Sequence, residues 1–255
     1  MAQLNQQHSG SGDNIGGDKL TADKMYVNQI DGDVILQIQN TPLPPPDITD
    51  FYLPTQIFRA TQFYIPTQWQ NLPPSIGQEL KDSFADIART PTIPHFLDRV
   101  FSAELGKQVD TKFFLILADS GMGKTTLMIN LFLEWNYHKK DLNKKKRVPR
   151  HKTMRLFHIA NYKTWHYLEK IKSLGQAQDT ILLLDAFDED QLAADNYKQR
   201  LEQIIEFTQD FYKVVITSRT QFFPSDKEIV AHTKVKTSQG YQKLSRMYLS
   251  PFDDQ

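Results

Sequence analysis

The chain has 255 residues, 40% of them apolar and 24% charged, and its 30 basic and 30 acidic residues cancel to a formal net charge of zero. That balance leaves no global field to draw the protein to nucleic acid or a membrane surface. The sequence has no cysteine, which excludes disulfides, thiolate metal sites and cysteine nucleophiles.

No apolar run approaches the length of a membrane span, and the opening "MAQLNQQHSGSGDN" is not a signal peptide. The expected location is therefore the cytoplasm. Residues 1–12 are polar and rich in glycine and serine, a composition that predicts disorder. A period of five comes next, with Asp13, Asp18, Asp23, Asn28 and Asp33 heading the units and Ile15, Leu20, Met25, Ile30 and Ile35 in third place. Asp31-Gly32 lies between two alternating β-prone runs, a hairpin signal. Residues 1–40 thus read as a β-prone or disordered extension. Its alternating apolar positions, asparagines and lack of proline from 13 to 40 are compatible with cross-β self-assembly, or with a plain hairpin extension.

"TPLPPP", Thr41 to Pro46, reads as a stiff linker. Residues 41–94 form a proline-containing flank, in which "PSIGQELKDSFADIART" predicts one helix; "PHFLDRVFSAELGKQ", at the start of the next region, predicts another. Phe51, Tyr52, Phe58, Phe63, Tyr64 and Trp69 are expected to pack this flank onto the α/β core. From residue 95 to 255 the chain alternates strand and helix. Strands are predicted at 113–118, 154–160, 180–185, 213–218 and 246–249, and helices at 123–138, 162–174, 191–210 and, short, near 240. Such alternation predicts βαβ units in an α/β fold with a mostly parallel five-stranded sheet and helices on both faces.

The first strand runs into "ADSGMGKTT", which fits the pattern G-x-x-x-x-G-K-[ST] with Ala118 in the first glycine's place. Glycines at 121 and 123 let the backbone curl so that the N–H groups of Asp119, Ser120, Gly121, Met122, Gly123 and the first helical residues converge, and the helix start adds its positive end. A phosphate chain suits that cradle. Lys124 reaches the β and γ phosphates, Thr125 offers a hydroxyl to Mg²⁺, and Thr126 continues the lining.

In "TILLLDAFDED" a buried apolar strand ends in Asp185, a carboxylate suited to holding Mg²⁺ through water beside the loop. Asp188 and Glu189 come just after it, where a carboxylate could orient or deprotonate water; they also suit the dipole of the next helix. In "KVVITSRT" a strand ends in Thr217, Ser218 and Arg219, a polar tip able to sense a γ-phosphate and offset its charge. The run "HKKDLNKKKRVPRHK" reads as a solvated basic loop, with nucleic-acid contact the lesser expectation, and His158, His166 and His232 lack metal-ligand spacing. No N-K-x-D guanine-reading segment occurs, which favours ATP over GTP.

"LADSGMGKTTL", "ILLLDAFDED" and "VVITSRTQFF" resemble, in order and spacing, the P-loop, extended Walker B and sensor 1 segments of NACHT-type STAND ATPases, the nucleotide-switch family that includes NOD-like receptors and bacterial defence proteins. "YLSPFDDQ" resembles the strand leading into the lid of such proteins. The resemblance implies a P-loop NTPase three-layer sandwich binding ATP or ADP with Mg²⁺, with slow hydrolysis. It further implies homo-oligomerisation on activation, defence or cell-death signalling, and a downstream effector reached through the N-terminal segment. By that carry-over Lys124 and Thr125 bind phosphate and metal, Asp185 is the metal aspartate, Asp188 and Glu189 are the acidic pair, and Arg219 is the sensor arginine. Family members continue into a lid, a winged helix and a sensor for a trigger ligand, whereas this chain stops at Gln255, as a fragment or a natural truncation. An ATP-driven motor on nucleic acid and a non-catalytic, nucleotide-stabilised scaffold are the competing expectations.

Overall fold

The computed structural model describes residues 24–30, 34–39, 48–71, 89–102, 111–144, 152–223 and 234–250. The chain divides into two compact units, residues 1–58 and 59–255.

In the first unit β1 (Lys24–Ile30) pairs antiparallel with β2 (Val34–Gln39), flanking the Asp31-Gly32 pair expected to turn the hairpin. The register sets Met25 opposite Ile38, Val27 opposite Leu36 and Ile30 opposite Val34. Between Val27 and Ile30, β1 advances one residue more than β2. A strand repeats every two residues, so positions five apart fall on opposite faces unless a bulge absorbs one. The extra residue of β1 absorbs the odd step between Met25 and Ile30, whereas Ile35, one residue past Val34, falls outside this apolar-to-apolar register. The first two pentads and the "TPLPPP" linker lie outside the described residues. The helix α1 (Pro54–Gln62) opens on proline, where no N–H is needed, and the Leu53 N–H donates to the Gln56 side chain at 2.8 Å.

The second unit is α/β, with a mixed, mostly parallel sheet flanked by helices. Its strands are β3 (Gln68–Gln70), β4 (Thr90–Pro91), β5 (Phe113–Ala118), β6 (Thr153–His158), β7 (Thr180–Asp185), β8 (Lys213–Arg219), β9 (Lys234–Thr237) and β10 (Gly240–Leu249). The order across the sheet is β4-β3-β10-β5-β8-β7-β6, with β9 on β10. The five strands β10, β5, β8, β7 and β6 run parallel, while β3, β4 and β9 join antiparallel. Composition dictates the centre: FFLILA of β5 and TILLLD of β7 are buried at every position, as strands covered on both faces must be.

Helix α2 (Thr92–His95) runs into a wider turn at Phe96–Val100. Helix α3 (Lys124–Lys144) packs on β6, β7 and β8 through a face that includes Leu127, Met128, Leu131, Phe132 and Trp135. Phe101 meets Trp135 edge-on at 5.9 Å, and Phe96 meets Phe114 of β5 at 5.7 Å. From β5 the chain crosses outward to the edge strand β6, then returns through α4 (Lys163–Ser173) to β7 and through α5 (Gln191–Thr208) to β8. Right-handed crossovers on reversed directions place α3 on one face and α4 with α5 on the other. The contact between Trp165 of α4 and Phe207 of α5, 5.6 Å between ring centres, agrees. α5 is broken at Asn196 (φ −152°, ψ 85°), whose side-chain oxygen accepts from the Gln199 N–H at 3.1 Å and restarts the helix.

Several expectations change. The short helix near 240 is instead the β9–β10 hairpin, because "KVKTSQGYQKL" alternates at the strand period. Trp69 does not sit on a packing flank but on β3, a strand of the sheet, opposite Leu249. Phe63 packs on nothing extensive, being 74% exposed. The basic run is not one loop: α3 continues to Lys144, and Lys152 is buried with its ammonium donating to the Asp179 carboxylate at 2.7 Å and the Gln178 carbonyl at 2.8 Å. The helix expected over "PSIGQELKDSFADIART" lies outside the described residues except for Arg89 and Thr90, the latter in β4. Of the one over "PHFLDRVFSAELGKQ", residues 94–100 are helical, in α2 and the wider turn, and 103–108 lie outside the described residues.

Leu183 sits fully buried in β7, so Leu183→Ala is expected to lower unfolding free energy by about 2–5 kcal/mol. Leu192→Ala, at a side chain 57% exposed, is expected to change it by less than about 0.5 kcal/mol. Urea unfolding midpoints at constant slope measure both.

Candidate functional site

β5 ends at Ala118, and α3 begins after five intervening residues, at Lys124. Gly121 (φ +80°) and Gly123 (φ +78°) carry the chain through left-handed backbone. A Cβ at Gly121 would meet nothing within 4 Å, so glycine is required there by conformation rather than by space. Ala118 at the first position of the loop is the last strand residue, which explains why no glycine is needed. Among the described residues the N–H groups of Gly121, Gly123, Lys124, Thr125 and Thr126 reach no internal acceptor, and the first bond of the helix is Leu127 N–H to Gly123 O at 2.7 Å. Unpaired donors converge at the positive end of a 21-residue helix.

The Lys124 ammonium folds back over the loop and donates to the carbonyls of Ala118 at 2.8 Å and Asp119 at 2.9 Å. Desolvation pushes its pKa down; Asp188 opposes the shift, Arg219 adds to it, and Asp185 and Asp119 oppose it. A partly desolvated cation at an open cavity gains from any anion placed beside it.

The acidic wall comes from β7 and the turn beyond. Asp185 is 1% exposed, and its Oδ1 accepts from the Thr217 hydroxyl at 2.6 Å. The same hydroxyl oxygen accepts from the Ala186 N–H at 2.9 Å. Ala186 takes left-handed backbone (φ 62°, ψ 55°), the single non-glycine positive φ among the described residues. That conformation costs an alanine on the order of 1 kcal/mol, and the Thr217 bond offsets it. A short turn, Phe187–Glu189, comes next, anchored by buried Phe187 stacking on Phe223 at 6.4 Å.

Asp188 Oδ1 accepts from the Arg219 N–H at 3.0 Å, and Oδ2 pairs with Arg219 Nε at 2.8 Å, with the Asp188 side chain only 6% exposed. Glu189, half exposed, has Oε2 at 3.3 Å from His158 Nε2. Asp190 is the N-cap of α5, accepting from the Leu192 N–H at 3.1 Å, and it also binds Arg200 Nε at 2.7 Å. Of the acidic run Asp188 to Asp190, expected to suit the dipole of this helix, Asp190 is the residue that caps it.

These groups enclose one cavity of about 290 Å³. Ser120, Gly121, Gly123, Lys124, Thr125 and Thr126 form one side of it. Asp185, Ala186, Asp188, Glu189 and Arg219 form the other. Asp119 and Met122 do not line it: Asp119 serves through its carbonyl, and the Met122 N–H turns to that carbonyl at 3.4 Å. Asp185 is not on the strand next to β5, because β8 lies between them. Thr217, expected to sense phosphate, spends its hydroxyl on Asp185 instead. Asp188, expected to handle water, has both oxygens committed to Arg219.

The Thr125 hydroxyl has no protein partner among the described residues, and Asp185 faces the same cavity. No cluster of three or more histidine and carboxylate groups able to hold a metal ion occurs among the described residues. Thr125 and Asp185 offer two hard oxygen donors, a set that would fit a divalent cation such as magnesium only if water or a ligand supplied the rest of its shell. The sequence marked His158 only as a histidine without metal-ligand spacing, and did not single out Ala186. The first is identified only by strand register, which sets it opposite Asp185, and the second only by its backbone angle.

Scanned against protein-family models the chain matches none, and no curated protein matches it. Among the described residues no helix is long and apolar enough to cross a membrane.

Thr217→Val keeps the shape of the side chain but leaves Asp185 Oδ1 and the Ala186 N–H short of a partner. It is expected to cost about 1–3 kcal/mol in chemical denaturation, with Thr217→Ser recovering most of the loss.

Proposed function

We propose that this protein is a Mg²⁺-dependent ATP- and ADP-binding switch with slow hydrolysis, built on the three-layer P-loop NTPase sandwich. The observation that carries the reading is the cavity in which Lys124 and the unpaired N–H groups of the glycine loop face Asp185. An array of donors and one cation opposite a buried carboxylate fits a polyphosphate bridged to that carboxylate by a divalent cation.

Within this reading the N–H groups of Gly121, Gly123, Lys124, Thr125 and Thr126 bind phosphate oxygens, and Lys124 sets a point charge on the β and γ groups. Thr125 and Asp185 hold Mg²⁺, Asp185 through water. The metal, when bound, shields the phosphate charge and fixes its geometry. Arg219, oriented by Asp188, offsets charge at the outer phosphate. Glu189, the more accessible of the acidic pair, orients and deprotonates the attacking water. ATP is preferred to GTP because the sequence lacks an N-K-x-D segment.

The assignment to NACHT-type STAND proteins rests on the order and spacing of the three motifs. So do self-association on exchange of ADP for ATP, a trigger sensed by regions beyond those motifs, and a role in defence signalling; the proposed cytoplasmic location rests instead on the sequence showing no signal peptide or apolar span. In that scheme differential contacts to the γ-phosphate bias two states, and oligomerisation gathers the N-terminal segments at high local concentration.

Purification without added nucleotide, followed by identification of the carried nucleotide, is expected to yield ADP. ATP with Mg²⁺ at a hundredfold excess over Kd is expected to stabilise the wild type by about 2.7 kcal/mol. Lys124→Ala is expected to abolish that gain, and Asp185→Asn to remove its dependence on Mg²⁺. Equal stabilisation of wild type and Lys124→Ala would overturn the reading.

A further inference from the structure

The two acidic residues of the turn after β7 are held by different strands. Asp188 is taken by Arg219 of β8 through both oxygens. Glu189 lines the cavity with a half-exposed carboxylate, and its one ion-pair contact among the described residues is His158, at the tip of the edge strand β6. A glutamate on a short turn has several rotamers open to it, and a general base acts only when held within hydrogen-bond reach of its water.

We propose that His158 is the positioning residue for Glu189, fixing the rotamer in which that carboxylate faces the cavity. The inference rests on the ATP reading above. The base from which the imidazole projects is itself fixed. Parallel register sets His158 opposite Asp185, and the next residue, Ile159, donates its N–H to the Asp185 carbonyl at 2.9 Å. From the other side the His158 carbonyl accepts from the Thr164 hydroxyl at 2.6 Å and from the Asn161 N–H at 3.1 Å. The same strand ladder that locates the metal-holding aspartate therefore locates the histidine, and through it the glutamate. Edge strand and turn together set a distance that neither sets alone.

The test compares wild type, His158→Ala, His158→Gln, Glu189→Gln and the double variant His158→Ala/Glu189→Gln. Nucleotide Kd is measured with a fluorescent ATP analogue, turnover by phosphate release, and folding by thermal unfolding. His158→Ala is expected to lower kcat on the order of tenfold with Kd changed by less than about twofold, and His158→Gln to recover part of the rate. The double variant is expected to be no slower than Glu189→Gln alone, since a positioning group has no effect once its target is gone. If His158→Ala turns over like wild type while Glu189→Gln is inactive, the inference fails and the ATP reading stands. Equal losses in Kd and kcat, or a double variant slower than Glu189→Gln, also overturn it. If His158→Ala does not fold, His158→Gln decides: a kcat lowered severalfold with Kd within about twofold supports the inference, and a kcat unchanged from wild type, or a loss of nucleotide binding in the folded protein, overturns it. A wild type that binds no ATP overturns the underlying reading first, and one that binds without turnover removes the role of Glu189 and this inference with it.

Discussion

A carboxylate buried at a strand tip is tolerated only where its oxygens are satisfied, because desolvating the charge otherwise costs several kcal/mol. Asp185 meets that condition at Oδ1 through Thr217, whose one hydroxyl donates to the carboxylate and accepts from the N–H of Ala186. The link joins the tips of β7 and β8, fixes which way the carboxylate faces, and holds a left-handed alanine that sends the chain sideways into the acidic turn. Each later feature of the wall inherits its position from that turn: Asp188 reaches Arg219, Glu189 reaches His158, and Asp190 caps α5.

The opposite wall is made by different means. The glycine loop and α3 need no distant partner to form an anion cradle, since backbone N–H groups at a helix start are unpaired by construction. Lys124 is drawn over that loop by the carbonyls of Ala118 and Asp119 and held in a partly desolvated place. One wall is local and positive, the other assembled from three strands and negative. The sheet order β5-β8-β7-β6 sets the gap between them and places both at the carboxyl ends of parallel strands, where open α/β sheets receive ligands.

The two acidic residues Asp188 and Glu189 show how neighbours in sequence separate in role. Identical charge and adjacent positions gave no basis for dividing them. Burial and partner divide them: one is committed to an arginine, the other is left at the cavity with a histidine beside it. The polar strand tip is similar. Thr217 and Arg219 are two residues apart on β8, yet the first turns to the core side and a carboxylate while the second lines the cavity.

What the sequence determined by itself is what depends on neighbours along the chain. All-apolar β5, the apolar run of β7 that ends in Asp185, the glycines that curl the loop, the helix beginning at Lys124 and the strand–helix alternation arise from side-chain period, backbone permissiveness and helix geometry. These were legible without coordinates. The Ala118 substitution was legible as tolerable, though its reason, a strand end instead of a turn, was not. Tertiary structure decided the pairings that span about thirty residues: Thr217 with Asp185, Arg219 with Asp188, and His158 with Glu189. It also turned the predicted helix near 240 into a hairpin and drew Trp69 into the sheet. A hydrogen bond between strand tips depends on which strands are adjacent and in what register. That order is set by how the whole sheet buries its faces, which no local stretch of sequence encodes.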